Sequence, residues 1–123
     1  KNVEKVLSKI SVQSNSNFFD IIIDDGSHYL SDILISFNFL FRYVKKGGIY
    51  IIEDYKHPNY YEYNKNIDHI LVDQMLTKLK EKKLFNSNII SKDDQIYFHK
   101  NIEDITTYKG NLEFSDICFI KKK

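Results

Sequence analysis

Hydrophobic residues recur at helical spacing at the start of the chain and then form an uninterrupted run. A stripe of four apolar positions predicts a short helix, formed by Val3, Val6, Leu7 and Ile10. Residues 11–17 are rich in serine and asparagine and predict a loop. Residues 18–23 are apolar, and their three consecutive isoleucines predict a strand that is covered on both faces, as in a parallel sheet.

A second helix and a second strand are predicted over residues 30–54. The helical stripe comprises Ile33, Leu34, Phe37, Leu40, Phe41 and Val44. We expect Ser31 or Asp32 to cap this helix and Gly47–Gly48 to end it. Residues 49–52 form the next apolar run. The order helix, strand, helix, strand predicts a right-handed parallel α/β unit.

Both predicted strands end in acidic residues. Asp25 follows the first strand, and Glu53 and Asp54 follow the second. If the strands are parallel neighbours, their carboxyl ends lie about 5 Å apart, and ligands bind at that edge of open α/β sheets. Three carboxylates so close together repel one another unless a cation neutralises them. The pattern therefore predicts a site for Mg²⁺, Mn²⁺ or Ca²⁺, which prefer oxygen ligands.

His28 lies three positions after Asp25, in the turn that leaves the first strand. An imidazole has a reference pKa of about 6.5, which suits proton removal at neutral pH. We therefore interpret His28 as a candidate general base beside the metal. Each of these residues taken alone has an ordinary explanation, since Asp-Gly pairs are common in turns. Their joint placement at adjacent strand ends favours a functional site.

The second half of the chain carries weaker patterns. Residues 56–65 are rich in tyrosine and asparagine and predict a loop. We expect Asn66 to cap a helix whose apolar positions are Ile67, Ile70, Leu71, Leu76, Leu79 and Leu84. Residues 95–99 and 116–120 are apolar enough to form the last two strands, with a turn at Gly110–Asn111 before the final one.

Composition limits the class of protein. The chain has 123 residues, 42% hydrophobic and 28% charged, which suffices for one domain. A net charge of +1 provides no strong field toward nucleic acid or an anionic membrane. No apolar run is long enough for a transmembrane helix, and no signal peptide is visible. The lone cysteine, Cys118, favours a reducing, cytoplasmic location and a buried apolar role, and residues 121–123 are expected to form a solvated lysine tail.

Three segments together resemble a known family. Residues 19–28 read FDIIIDDGSH, residues 36–37 read SF, and residues 47–54 read GGIYIIED. This arrangement resembles the C-terminal half of bacterial sugar O-methyltransferases of the mycinamicin and tylosin type, and its spacing is similar to that of catechol O-methyltransferases. The resemblance is strong over residues 18–54, weak over the loop and helix that follow, and returns over residues 115–121.

The resemblance implies a class I, Rossmann-like α/β methyltransferase fold. Residues 1–123 would supply its C-terminal part, a mostly parallel sheet with an antiparallel last strand. It implies methyl transfer from S-adenosylmethionine, with Mg²⁺ or another divalent cation, to a hydroxyl of a small molecule, with a sugar as the favoured acceptor. Neither nucleic acid nor a membrane is an expected partner, and a homo-oligomer is compatible with the sequence.

The resemblance also assigns roles to individual residues. It places the divalent cation on Asp25, Glu53 and Asp54, and it makes His28 the catalytic base. It places S-adenosylmethionine near three residues of the turn: Asp25, Gly26 and Ser27.

Two features of the family are absent from the sequence. The glycine-rich turn after the first strand of the family is missing, and so is the acidic residue that holds the cofactor ribose. We expect both to lie N-terminal to Lys1, so that residues 1–123 lack the N-terminal cofactor-binding half. One alternative is therefore a non-catalytic, methyltransferase-like fragment that acts as an interaction module. Another is an iron-linked or hydrolytic α/β enzyme, although no Gly-x-Ser-x-Gly motif supports a serine hydrolase.

Overall fold

The computed structural model describes residues 18–112 and 115–123. The helices and strands are β1 (Phe19–Asp24), α1 (Leu30–Leu40), β2 (Val44–Glu53), α2 (Glu62–Lys65), α3 (Val72–Lys80), α4 (Lys92–Asn101), β3 (Ile102–Tyr108) and β4 (Ile117–Lys122). Short 3₁₀ turns at Phe41–Tyr43 and His57–Tyr60 precede β2 and α2. The helix and loop predicted for residues 3–10 and 11–17 lie outside the described residues.

The four strands form one mixed sheet in the order β1-β2-β4-β3. β1 pairs with β2 in parallel, whereas β4 is antiparallel to both β2 and β3. Three strands therefore run in one direction and only β4 runs in the other, which confirms the prediction of a mostly parallel sheet with an antiparallel last strand. Because Asp24 is opposite Ile52 in the register, the carboxyl ends of β1 and β2 lie side by side.

The helices bury one face of this sheet. The helical stripe predicted from the sequence is confirmed at Ile33, Leu34 and Phe37, which are buried in α1. Phe41 and Val44 are also buried, but they lie after the end of α1. The ring of Phe37 packs against Tyr50 of β2 and Phe98 of α4, with centroid distances of 5.3 and 4.7 Å. Cys118 of β4 lies in the same core, as predicted. Burying side chains of this size contributes about 1.5–3 kcal/mol each.

The opposite face of β1 is open within the described residues. Ile21 and Ile23 are 56% and 57% exposed, whereas Ile22 packs against the core. The prediction that this strand is covered on both faces is therefore wrong for the described part of the chain. The reason is that an alternating strand presents every second side chain to each face, and the described helices cover only one.

The glycine pair belongs to a strand and does not end a helix. α1 gives way to the 3₁₀ turn at Phe41–Tyr43, and β2 already begins at Val44. Gly47 has a φ of 78°, and a Cβ on Gly48 would lie only 2.6 Å from the carbonyl oxygen of Asp20. The pair thus allows β1 and β2 to approach closely across an irregular register. The predicted caps are also wrong, because α1 starts after Tyr29 without a side-chain cap.

Residues 95–99, predicted to be a strand, lie inside helix α4. The Oγ atom of Ser91 accepts a hydrogen bond from the backbone N–H of Asp94 at 3.1 Å, which caps this helix. The strand follows at Ile102, and the predicted last strand is confirmed, with a bend at residues 111–112 before it. Phe98 is buried in the core. A buried apolar residue at this position fits a strand as well as a helix, so its hydrophobicity did not distinguish the two.

The region between β2 and α4 has more and shorter helices than predicted. The predicted loop contains the 3₁₀ turn and α2, and the helix expected from Asn66 is confined to α3. α3 starts after Leu71, whose backbone N–H donates to Oε1 of Gln74 at 2.9 Å. The apolar residues that precede α3 belong to an irregular segment.

The prediction of a solvated lysine tail is wrong for Lys122, whereas the side chains of Lys121 and Lys123 are exposed. Lys122 ends β4 and is 7% exposed, with its Nζ atom donating to the carbonyl oxygens of Arg42 and Val44 at 3.1 and 2.8 Å. Pairing of β4 with β2 and β3 draws this residue inward, so that its ammonium group ties β4 to the start of β2.

Candidate metal centre

The turn after β1 is held by short-range hydrogen bonds. The backbone N–H of Gly26 donates to Oδ1 of Asp24 at 3.1 Å. The hydroxyl of Ser27 donates to Oδ2 of Asp32 at 2.5 Å and accepts from the backbone N–H of Tyr29 at 3.3 Å. The Ser27 side chain thus joins the turn to the first residues of α1. These bonds fix the direction in which the following helix leaves the sheet.

The turn after β2 lies beside it. The backbone N–H of His57 donates to the carbonyl oxygen of Asp54 at 3.0 Å, which closes a tight turn. The N–H of Tyr55 donates to the carbonyl oxygen of Asp116, so the segment before β4 supports the same turn. The two turns place the residues that follow β1 and β2 at one edge of the sheet.

Asp25, His28 and Asp54 meet at this edge. The Nε2 atom of His28 lies 3.3 Å from Oδ1 of Asp25 and 3.3 Å from Oδ2 of Asp54. One ligand atom from each of the three residues lies within 4.8 Å of the others. That separation is about twice the 2.0–2.6 Å between a divalent cation and its oxygen ligands. Two carboxylates and an imidazole so arranged fit a divalent cation such as Mg²⁺ or Mn²⁺.

The site is accessible to solvent but shaped by the fold. The side chain of His28 is 24% exposed and that of Asp54 is 32% exposed, whereas Asp25 is 57% exposed. In the described part of the chain, His28 is the ion-pair partner of both carboxylates. Two negative groups held this close repel each other, and a bound cation would remove that repulsion.

Two of the three residues have unusual backbone conformations. The φ angles are 65° at His28 and 54° at Asp54, in the left-handed region that residues other than glycine seldom adopt. Such conformations cost free energy and concentrate at functional sites, where the surrounding structure maintains them. Here they direct the imidazole and the carboxylate toward the same point.

Glu53 is placed differently from the other predicted ligands. It is the last residue of β2, opposite Ile117 of β4, and it is half-buried. The structure brings Asp25 and Asp54 together and adds His28, whereas Glu53 is not a member of this group. A role for Glu53 in holding the cation therefore stays a prediction.

A cavity of about 370 Å³ adjoins the same turn. It is lined by Asp25 and Gly26, together with Ile23, Asp24, Ser36, Leu40 and Tyr50. The Oδ2 atom of Asp24 and the hydroxyl of Tyr50 are buried and have no hydrogen-bond partner among the described residues, and burial raises the pKa of the Asp24 carboxyl. These groups fit a ligand that carries hydroxyl or amino groups. Ser27 does not line this cavity, and its predicted role stays a prediction.

His57 lies beside the site, although it was not among the predicted site residues. Its ring lies 5.3 Å from the ring of His28 and 5.0 Å from that of Tyr61, measured between centroids. The only sign of this in the sequence is a histidine three positions after Asp54 in a segment rich in tyrosine. Its place beside His28 depends on the pairing of β1 with β2, which local patterns do not specify.

No helix in the described ranges combines the length and apolar character that crossing a membrane requires.

Comparisons with known proteins support the resemblance seen in the sequence. No protein-family model matches the chain. Demethylmacrocin O-methyltransferase of Streptomyces fradiae and mycinamicin VI 2''-O-methyltransferase of Micromonospora griseorubida are each 56% identical to it over 36 residues. L-olivosyl-oleandolide 3-O-methyltransferase of Streptomyces antibioticus is 50% identical over 36 residues. The matched segments cover 29% of this chain and only 9% of the length of each relative.

Solved structures extend the likeness to nearly the whole chain. The MycE methyltransferase of the mycinamycin biosynthetic pathway, in complex with Mg and SAH, matches with a TM-score of 0.61 and 26% identity, over 96% of this chain and 28% of that one. The complex of MycE with Mg, SAH and mycinamycin VI matches with the same TM-score and 25% identity, over 96% and 29%. The chain thus has part of the α/β fold of a methyltransferase and resembles the macrolide sugar O-methyltransferases.

Proposed function

We propose that this chain is the metal-binding part of an enzyme that transfers a methyl group from S-adenosylmethionine to a sugar hydroxyl. The observation that carries the proposal is the group formed by Asp25, His28 and Asp54, whose ligand atoms lie within 4.8 Å of one another. The similar MycE structures contain Mg and SAH, and the similar curated proteins are named as O-methyltransferases of sugar-bearing compounds. We therefore propose Mg²⁺ and S-adenosylmethionine as the ligands of this protein and a sugar hydroxyl as its acceptor.

The residues of the chain divide the work. Asp25 and Asp54 would hold the divalent cation, with Glu53 as a further candidate ligand, and Asp25 and Gly26 would border S-adenosylmethionine. When bound, the cation lowers the pKa of an acceptor hydroxyl and S-adenosylmethionine supplies an electrophilic methyl group. With the cation held by the two carboxylates, Nε2 of His28 would accept the hydroxyl proton while the acceptor oxygen bonds to the methyl carbon, the methyl–sulfur bond breaks and S-adenosylhomocysteine leaves. The two carboxylates beside Nε2 would stabilise the imidazolium that forms when the ring takes the proton.

The proposal is tested in the full-length protein with His28→Ala and, separately, Asp25→Ala. We expect Asp25→Ala to abolish Mg²⁺ binding in calorimetry and His28→Ala to reduce methyl transfer by about 100-fold or more. Asp20→Ala is the matched control, because Asp20 lies at the other end of β1 with its side chain 84% exposed. Methyl transfer that is unchanged in both site variants would contradict the assignment.

A further inference from the structure

A row of aromatic rings continues outward from His28. The centroid of His57 lies 5.3 Å from that of His28, and Tyr61 lies 5.0 Å from His57. Tyr63 lies 5.6 Å from Tyr61, and Tyr29 lies 6.0 Å from Tyr63. We call the four residues beyond His28 the aromatic row: His57, Tyr61, Tyr63 and Tyr29. The aromatic row begins at the candidate metal centre and ends on the surface.

The three tyrosines of the aromatic row are exposed to solvent. Tyr61, Tyr63 and Tyr29 are 38%, 53% and 48% exposed. Neighbouring exposed aromatic side chains often mark a binding site on a protein surface. A tyrosine presents an apolar ring and a hydroxyl that forms hydrogen bonds, which suits ligands that are partly apolar and partly polar.

Buried contacts hold the aromatic row in place. Asn64 follows Tyr63 within α2 and is fully buried. Its Oδ1 atom accepts from the backbone N–H of Leu30 at 3.3 Å, and its Nδ2 atom donates to the carbonyl oxygen of Pro58 at 3.4 Å. Asn64 thus ties this loop to the start of α1, the helix that follows His28. The rings are therefore positioned relative to the metal centre by the core of the protein.

We propose that the aromatic row binds the pyranose ring of the acceptor, an inference that rests on the proposed function. The C–H bonds on one face of a pyranose carry weak positive charge and stack on the negative face of an aromatic ring. Adjacent hydroxyls on the same sugar would then face the cation held by Asp25 and Asp54.

The kinetic test uses Tyr61→Ala and Tyr63→Ala in the full-length protein. We expect KM for a sugar acceptor to rise about 3- to 10-fold in each variant, with kcat changed less than 2-fold and KM for S-adenosylmethionine unchanged. Tyr61→Phe keeps the ring and should restore most of the lost affinity. Tyr108→Ala is the matched control, because Tyr108 is 57% exposed but packs on Phe119 of β4. Unchanged KM in both alanine variants would overturn the proposal.

A second test observes the tyrosine rings directly by NMR with selective isotope labelling. The probe is methyl α-L-rhamnopyranoside, a neutral deoxysugar with adjacent hydroxyls, added in the presence of Mg²⁺ and S-adenosylhomocysteine. We expect the ring signals of Tyr61, Tyr63 and Tyr29 to shift, and that of Tyr108 to stay fixed. Shifts with catechol in place of the rhamnoside, or none with either compound, would overturn the assignment to a sugar.

The two proposals fail in different ways. If the wild-type protein binds Mg²⁺ and transfers methyl groups while the aromatic variants behave like wild type, only the aromatic row is overturned. If the wild-type protein neither binds Mg²⁺ nor transfers methyl groups, the proposed function is overturned. Ring shifts with the rhamnoside in that case would still identify the aromatic row as a sugar-binding surface.

Discussion

Two acidic sites lie at the same edge of the sheet, and their negative charges have different partners. Before β4, the Oδ2 atom of Asp116 lies 3.1 Å from Nζ of Lys56, and the Asp116 side chain is only 10% exposed. After β1 and β2, Asp25 and Asp54 share His28 as their ion-pair partner in the described part of the chain. The carboxylate of Asp116 is neutralised by a lysine of the fold itself. Those of Asp25 and Asp54 are held together around His28, with left-handed backbone conformations at His28 and Asp54. The comparison separates a structural acidic residue from functional ones.

The largest effect should be the loss of Mg²⁺ affinity when one carboxylate of the candidate metal centre is neutralised, with the same change at Asp116 as the comparison. Asp54→Asn deletes one of two carboxylates that would hold the cation, and we expect Mg²⁺ affinity to fall about 100-fold or more. Asp116→Asn, at the same edge, should leave Mg²⁺ affinity within about 2-fold of wild type. Isothermal calorimetry on the full-length protein measures both. Equal losses in the two variants would mean that the edge as a whole, and not the group around His28, attracts the cation.

The parts of this site that were predictable are local in sequence. An apolar run that ends in Asp24-Asp25 and another that ends in Glu53-Asp54 identify both strands and the edge where their ends meet. The parallel pairing of β1 with β2 then brings Asp25 and Asp54 together as expected. His28 was expected beside the cation, and the structure places its Nε2 atom between the two carboxylates.

The parts that were not predictable depend on tertiary contacts or on competing local patterns. The aromatic row forms because Asn64 anchors its loop to Leu30, 34 positions away, which no periodicity reveals. Residues 95–99 are apolar enough for a strand, but the cap at Ser91 starts a helix. Lys122 is drawn inward by carbonyl oxygens about 80 positions earlier in the sequence. The open face of β1 likewise depends on which elements cover it.

A smaller effect, on the free energy of unfolding, should distinguish backbone strain at the metal centre from backbone strain elsewhere in the chain. Lys82 has a φ of 56° just after α3, where the N–H of Lys83 donates to the carbonyl oxygen of Lys78 in a helix-ending turn. Glycine is favoured there, so Lys82→Gly should raise the free energy of unfolding by about 0.5–1 kcal/mol without changing Mg²⁺ binding. Asp54→Gly should stabilise the metal-free protein by about 1 kcal/mol but abolish Mg²⁺ binding.

Urea denaturation without Mg²⁺, followed by calorimetry with Mg²⁺, tests this pair of variants. If Asp54→Gly destabilises the metal-free protein, the left-handed conformation at Asp54 is not a strained one maintained for function. If Lys82→Gly weakens Mg²⁺ binding, backbone strain is coupled across the molecule, and the two positions cannot be treated as independent.

The smallest effect concerns the neutralised carboxylate, and it should depend on pH. Burial alone would raise the pKa of Asp116, but hydrogen bonds from Lys56 and from the N–H of Gly110 outweigh it and lower the pKa below the ordinary value. The folded state therefore binds its proton less readily than the unfolded chain, so the stabilisation is present above the ordinary carboxyl pKa and is lost as the pH falls through the lowered one. Asp116→Asn should cost no more than about 1 kcal/mol at pH 7, and the difference from wild type should shrink in strongly acidic solution. Urea denaturation at several pH values measures that convergence, and a difference that stays constant down to acidic pH would show that Asp116 contributes by packing and not by its charge.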